Sequence, residues 1–262
     1  MAFLRVVFKS LVFIPAVLLY LLVATIILAL CGFSFPRARP FLIRLISWTS
    51  QAGLILFGVE VRKNFEAQSM DKNYLIVSNH LSYIDIMIIS SFFPTCFVTS
   101  NEMKETPFLG QLCLLGGCLF VERRKRSGIT GEVAQLAAAL SSGLNVVVFP
   151  EAKSSNGEEV LRFRRPLFQS AINSGKNVLP LCVNYRTLDG DKITIKNRDD
   201  VFWYGDMPFL NHALTLFSHK KIVAELSVMK SMNTSEFADK NELADKSFEI
   251  VSNEFSLITH AH

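Results

Sequence analysis

Apolar and polar positions follow three different rhythms along this chain. Residues 11–33 form a run of 23 positions without a charge. As a helix such a run measures about 34 Å, enough for a hydrocarbon core of roughly 30 Å. It is too long for an ordinary signal-peptide core, and no small-residue cleavage pattern follows it. Residues 41–57 differ, because Arg44, Ser47, Thr49, Ser50 and Gln51 interrupt Phe41, Leu42, Leu45, Ile46, Trp48, Leu54 and Leu56. That mixture predicts an interfacial helix with Trp48 near the headgroups. Arg5 and Lys9 flank one side of the pair and Arg37, Arg39 and Arg44 the other, which leaves its orientation open. Both segments also fit buried core helices of a soluble protein.

From about residue 72, short apolar runs alternate with helix-period segments, with no low-complexity linker or internal repeat. Strands are predicted at 74–78, 96–99, 118–121, 145–149, 178–184, 192–196 and 222–228. Helices are predicted at 82–92, at 130–142 ending at Gly143, at 167–174 ending at Gly175, and at 207–217. Over 235–255, Phe237, Leu243, Phe248, Val251 and Phe255 supply an apolar stripe for a last helix. The alternation predicts an α/β fold with a mixed, largely parallel sheet flanked by helices. The expected division is membrane-associated helices over 1–60 and an α/β domain over 61–262.

Composition narrows the class. With 262 residues, half of them hydrophobic, and a mean hydropathy of +0.32, the chain can hold one large α/β domain besides the apolar amino terminus. A net charge of +4 is too mild to argue for nucleic acid, and no nucleic-acid signature is present. An anionic membrane surface suits it better. The five cysteines, Cys31, Cys96, Cys113, Cys118 and Cys182, are odd in number and lie in apolar contexts without CxxC spacing. They read as reduced thiols, hence a membrane protein whose catalytic domain faces the cytoplasm.

Chemistry is concentrated where predicted strands end. Asn79-His80-Leu81-Ser82-Tyr83-Ile84-Asp85 follows the run 74–77, at the kind of strand-to-helix junction where α/β proteins place active sites. Within one helix, residues five apart would diverge by roughly 140°, so His80 must precede the helix. Ser82 can then be its N-cap, with Asp85 in the first turn reaching back toward His80. Such a pair suits a general base oriented by a carboxylate. The same spacing fits a capping box beside a histidine that only ties down a loop. Gly117 to Arg126 ends a strand in a burst of cations, and Phe149-Pro150-Glu151 ends another. Arg162, Arg164 and Arg165 then surround Phe163. Forked arginine donors at a strand end can grip a phosphate; basic clusters are also commonly solvated or membrane-facing. The turn 201–207 is aromatic and fits either an acyl groove or core packing. His212 and His219 lack a companion acid or cysteine cluster, His260 and His262 lie in the tail, and no metal site is expected. Neither a GxxxxGK[ST] loop nor a GxSxG elbow occurs.

Taken in order, these blocks resemble the glycerolipid acyltransferase family, the PlsC-like 1-acylglycerol-3-phosphate acyltransferases, over about residues 74–185. Asn79-His80 with Asp85 is similar to the NHxxxxD block; Gly117 through Arg123 is similar to the glycine-to-arginine block that binds the acceptor. Phe149-Pro150-Glu151 matches the start of the FPEGTR block, and 178–181 the later proline strand. The chain departs from the pattern at two places. Ala152-Lys153-Ser154 stands where the family usually has Gly-Thr-Arg, and Ser100 where many relatives carry a lysine. The resemblance implies a membrane-associated enzyme with His80 and Asp85 catalytic, and Asn79, Gly117, Arg123, Glu151, Lys153 and Arg164 toward the substrate. Acyl-CoA or acyl carrier protein would serve as co-substrate, with no cofactor and no metal, and the acceptor would be a membrane lysophospholipid. It most directly implies acylation of the free sn-2 hydroxyl of 1-acylglycerol 3-phosphate to phosphatidate. Another lysolipid such as a lyso-ornithine lipid, a thioesterase and a non-catalytic lipid-binding protein remain as alternatives.

Overall fold

The computed structural model describes residues 1–65, 73–122 and 129–258. Two long helices come first, α1 (Ala2–Leu30) and α2 (Phe35–Phe57). They are followed by β1 (Val59–Phe65), β2 (Leu75–Ser78), α3 (Ile84–Phe92), β3 (Thr95–Ser100), α4 (Asn101–Glu105), α5 (Leu109–Leu115) and β4 (Leu119–Val121). The second half runs α6 (Ile129–Ser141), β5 (Asn145–Val148), α7 (Gln169–Ser174), β6 (Val178–Leu188), β7 (Asp191–Lys192), α8 (Phe209–Ser218), β8 (Ile222–Val228) and α9 (Lys240–Glu254).

The sheet order is β1-β8-β6-β2-β5-β3-β4, with β7 appended to β6. β6, β2, β5, β3 and β4 run parallel, as do β1 and β8; the β6–β8 contact is antiparallel. This is the mixed, largely parallel sheet expected from the alternation. β2, β5 and most of β6 are buried on both faces, which explains why they read as continuous apolar runs instead of alternating ones. Because β2, β5, β3 and β4 are parallel, their carboxyl ends share one edge of the sheet, and the motifs that follow β2 and β5 are thereby brought to that edge.

Four segments differ from the sequence expectation. The strand at 192–196 shrinks to the two residues of β7: Asp189 and Gly190, both at positive φ, make a tight hairpin turn. Asn197 Oδ1 then accepts the Thr194 N–H at 2.8 Å and bends the chain away from the sheet. β1 escaped notice because Glu60, Arg62 and Lys63 interrupt it; it is an edge strand whose side chains are mostly exposed. α4 and α5, five and seven residues long, are too short to show a helical period.

α1 begins well before residue 11 and lies along the domain. Arg5 Nε donates to Ser218 O at 2.7 Å, and Lys9 Nζ donates to Phe57 O and His219 O at 3.0 and 2.8 Å. Two cations thus satisfy carbonyls left open at the carboxyl ends of α2 and α8. Phe13 packs with Phe57 and Phe217, while Tyr20, Ala24 and Leu28 bury against Ala38 and Leu42 of α2 with Leu112 and Leu115 of α5 alongside. The opposite face, including Phe3, Phe8, Leu11, Leu18, Leu22 and Leu30, is exposed. Both α1 and α2 are long and apolar enough to cross a membrane by length and composition.

Candidate active site

β2 ends at Ser78, and the next residue replaces a rung of the sheet with its side chain. Asn79 Nδ2 donates to Val183 O at 2.9 Å and Asn79 Oδ1 accepts Val183 N–H at 2.8 Å. The backbone is thereby released to turn out of the sheet while still fastened to β6. Asn79 is 1% exposed and spends both polar atoms on this bridge, so its contribution to a substrate site runs through the turn it holds.

Beyond Asn79, the His80 backbone is clamped on both sides: its N–H donates to Glu151 Oε1 at 2.8 Å, and its carbonyl accepts the Ser155 N–H at 2.8 Å. The imidazole stacks on Phe149 with a centroid separation of 3.9 Å. Its Nδ1 lies 2.9 Å from Asp85 Oδ2. That carboxylate is completely buried. Oδ2 also accepts the N–H groups of Leu81 and Ser82 at 2.7 and 2.9 Å, and Oδ1 accepts the Tyr185 hydroxyl at 2.6 Å. Surrounded by donors, Asp85 takes the proton side of Nδ1, which leaves the Nε2 lone pair free to act as a base. Among the described residues no hydrogen bond occupies Nε2, and the His80 side chain retains 17% exposure.

His80 and Asp85 therefore stand in the relation their spacing predicts, but Ser82 is not the cap. α3 starts at Ile84, and Ser82 Oγ is buried without a hydrogen-bond partner. Asp85 itself reaches back to the Leu81 and Ser82 N–H groups just ahead of the helix, so it fastens the entry to α3 and the imidazole at once.

Glu151 is a strut between two loops. Its Oε1 holds the His80 N–H and its Oε2 the Leu161 N–H at 2.9 Å. Burial pushes its carboxyl up to about 8, against the pull of those two backbone donors. Ala152 follows at φ +64, a left-handed conformation that disfavours a Cβ and gives a physical reason for the glycine usual at this place in relatives. Lys153 is exposed on the same turn. Ser154, where the family arginine is missing, donates its hydroxyl to Trp203 O at 2.5 Å. Ser100 caps α4 by accepting the Met103 N–H. Neither serine replaces a positive charge.

Arg164 lines a cavity of about 110 Å³ with Glu122, Glu132, Phe149, Pro150 and Ala152. Phe149 borders this cavity and also stacks on His80, so the cavity and the imidazole are one ring apart. Gly117 lies elsewhere, where α5 turns against α2: it has φ +78, its carbonyl accepts Arg39 Nε at 3.1 Å, and an added Cβ would come within 3.4 Å of Arg39 and Ile43 side chains. Arg123 falls outside the described residues, as do Lys125, Arg126, His260 and His262. Of the other flagged arginines, Arg165 forms a bidentate pair with Asp245 and so is a link to α9.

Several participants carried no local signal. Tyr185 lies a hundred residues beyond Asp85 and one past the predicted end of its strand. Tyr83, one residue before α3, places its hydroxyl 3.1 Å from His212 Nδ1 and packs on Trp203 and Phe209. Burial lowers the pKa of His212. The aromatic turn is thus packed beside the strand-to-helix junction that carries His80, and Trp203 N–H bonds Leu81 O at 2.9 Å. His219 is paired with Asp189 and Asp200 at the end of α8.

Residues 58–184 match the family model described as Acyltransferase. A 1-acyl-sn-glycerol-3-phosphate acyltransferase of Neisseria gonorrhoeae is 30% identical over 189 residues, covering 72% of this chain and 71% of that protein. A lyso-ornithine lipid O-acyltransferase of Pseudomonas aeruginosa is 30% identical over 206 residues, covering 78% and 76%. In fold, the chain is similar to the crystal structure of the 1-acyl-sn-glycerophosphate (LPA) acyltransferase PlsC from Thermotoga maritima, with a TM-score of 0.66 at 18% identity over 97% of this chain and 96% of the other. With the motifs that follow β2 and β5 on one sheet edge and relatives of this identity spanning most of its length, the chain belongs to the acyltransferase family and is an acyltransferase.

Proposed function

We propose that this enzyme moves an acyl group from acyl-CoA or acyl carrier protein to the free sn-2 hydroxyl of 1-acylglycerol 3-phosphate, giving phosphatidate. The observation that carries the reading is the imidazole pinned through Nδ1 to a buried carboxylate with Nε2 left open. His80 Nε2 takes the hydroxyl proton as the acceptor oxygen attacks the thioester carbonyl. The carbon–sulfur bond then breaks, and the leaving thiolate recovers the proton from the imidazolium. No acyl-enzyme forms, and no metal or cofactor enters, because the thioester is already activated. Arg164 in its cavity, with Lys153 and Arg123, offers the positive charge for the acceptor phosphate. The names of the relatives support a lysolipid acceptor.

A lyso-ornithine lipid is the second acceptor reading. It is favoured by the Ser154 bond to Trp203, which leaves the usual arginine position without charge, and by relatives bearing that name. The exposed apolar faces of α1 and α2 support a membrane-bound enzyme lying in one leaflet, and the free cysteines support a cytoplasmic face for the catalytic domain. The test is purified protein in vesicles with labelled acyl-CoA or acyl carrier protein and a panel of lysolipids. Phosphatidate formed from 1-acylglycerol 3-phosphate, and lost by at least a thousandfold in His80→Ala while vesicle binding persists, is the expected result. Full activity in His80→Ala would remove the general base; transfer only to lyso-ornithine lipid would replace the acceptor.

A further inference from the structure

The buried end of the His80–Asp85 pair is completed from a distant strand. We propose that Tyr185 is a positioning residue for catalysis: its hydroxyl bond to Asp85 Oδ1 fixes the carboxylate so that Oδ2 faces His80 Nδ1, and it sets how strongly that carboxylate holds an imidazolium. The inference rests on His80 being the general base.

The geometry is specific. Oδ2 already serves three donors, the imidazole and two backbone N–H groups, whereas Oδ1 accepts the Tyr185 hydroxyl at 2.6 Å. Asp85 is fully buried and Tyr185 is 4% exposed, so water is in no position to replace the hydroxyl. Burial, with Asp85 alongside, holds the Tyr185 phenol far above its ordinary range, so it stays a donor at any working pH. The strand is irregular at this residue. β6 pairs regularly with β8 from Leu181↔Val228 to Tyr185↔Ala224, then shifts register before Thr187↔Val223. An extra residue of this kind bends and twists a strand and re-aims neighbouring side chains, commonly beside an active site. The Asn79–Val183 bridge fastens the catalytic turn two residues upstream on the same strand, so β6 holds both the backbone that presents His80 and the hydroxyl that orients its partner.

The sign of the effect follows. A donated hydrogen bond draws charge from the carboxylate; without it, Asp85 Oδ2 holds a protonated imidazole more strongly, and the acid limb of the activity profile moves upward. The other groups that face this pair are Glu151, whose charge couples with Asp85, and Tyr83, whose phenol is held up by burial. Both are unchanged when only the Tyr185 hydroxyl is removed.

The experiment is the pH profile of kcat/KM for Tyr185→Phe in the full-length protein, with thermal melting in parallel. The expected result is a kcat about tenfold lower and an acid limb displaced upward by about half a pH unit to one unit, with little change in KM for the acyl donor. Phe202→Leu is the companion variant, since its ring lies 5.5 Å from Tyr185 and its loss loosens packing while sparing the hydroxyl; its limb should stay at the wild-type pH. An unmoved limb in Tyr185→Phe, or the same displacement in Phe202→Leu, overturns the positioning role while leaving His80 as base. Full activity in His80→Ala overturns the base and this inference together.

Discussion

Glu151 takes the N–H of His80 on one oxygen and that of Leu161 on the other, at a site where burial pushes its carboxyl from the ordinary 4.5 up to about 8. Between those two values the folded chain holds a proton that the unfolded chain has released. Stability associated with this residue is therefore fully present below about pH 4.5 and is lost as pH rises through about 8. Glu151→Gln removes the titration, so the melting temperature of wild type relative to E151Q should fall steadily between pH 5 and pH 8.5. A difference that stays constant over that range would show that Glu151 does not change its ionisation on folding. At this scale the sequence was most informative where chemistry is contiguous. His80 and Asp85 sit on one turn, so five residues of spacing were enough to relate them. The bonds from Glu151 to His80, Asn79 to Val183 and Tyr185 to Asp85 span 71 to 104 positions, and no local pattern encodes such a distance. Ser82-x-x-Asp85 is ambiguous about which member reaches back, and here the carboxylate does so.

α8 shows how one element can serve two environments. His212, Leu216 and Phe217 face the body of the protein, whereas Leu210 and Leu214 are exposed at 67% and 40%. The last turn of α8 receives Arg5, and Phe217 packs on Phe13, so α8 adjoins the exposed apolar face of α1. The two helices together make a broader surface for a bilayer than α1 alone. Replacing Leu210 and Leu214 by Asp should weaken binding to phospholipid vesicles by about tenfold or more, from lost apolar area and added like charge near anionic headgroups. Solution turnover of a short-chain, water-soluble acceptor should remain within about twofold. Vesicle flotation of the double variant measures the first effect, and unchanged flotation would confine the membrane surface to α1 and α2. The amphipathic period made α8 legible in advance. β1, α4 and α5 were not, since an edge strand broken by charges and helices of one or two turns carry too little periodicity to register.

On the scale of the whole molecule, the apolar amino terminus and the parallel sheet were both readable from hydrophobic pattern, but their relation was not. Length and composition treat α1 as a free rod, able to cross a bilayer by itself. Contacts from Arg5 to Leu28 instead fasten it along the domain over about 35 Å of helix. A crossing orientation would have to drag α2, α5 and α8 into the hydrocarbon or tear away Lys9, which is 7% exposed and bonded to two carbonyls. Stripping that ammonium of its partners in an apolar medium costs several kcal/mol. An arrangement in the plane of one leaflet keeps these bonds and still buries the apolar face of α1. The two ends of α1 then lie on the same side of the membrane as the acyl-transfer site. Thiols introduced as Phe3→Cys and Ser34→Cys should both react with a membrane-impermeant maleimide from the side that carries the catalytic domain, as read by mass spectrometry of the labelled peptides. Labelling of the two positions from opposite sides would establish a spanning helix and require the contacts of α1 with α8 or α2 to open in the bilayer.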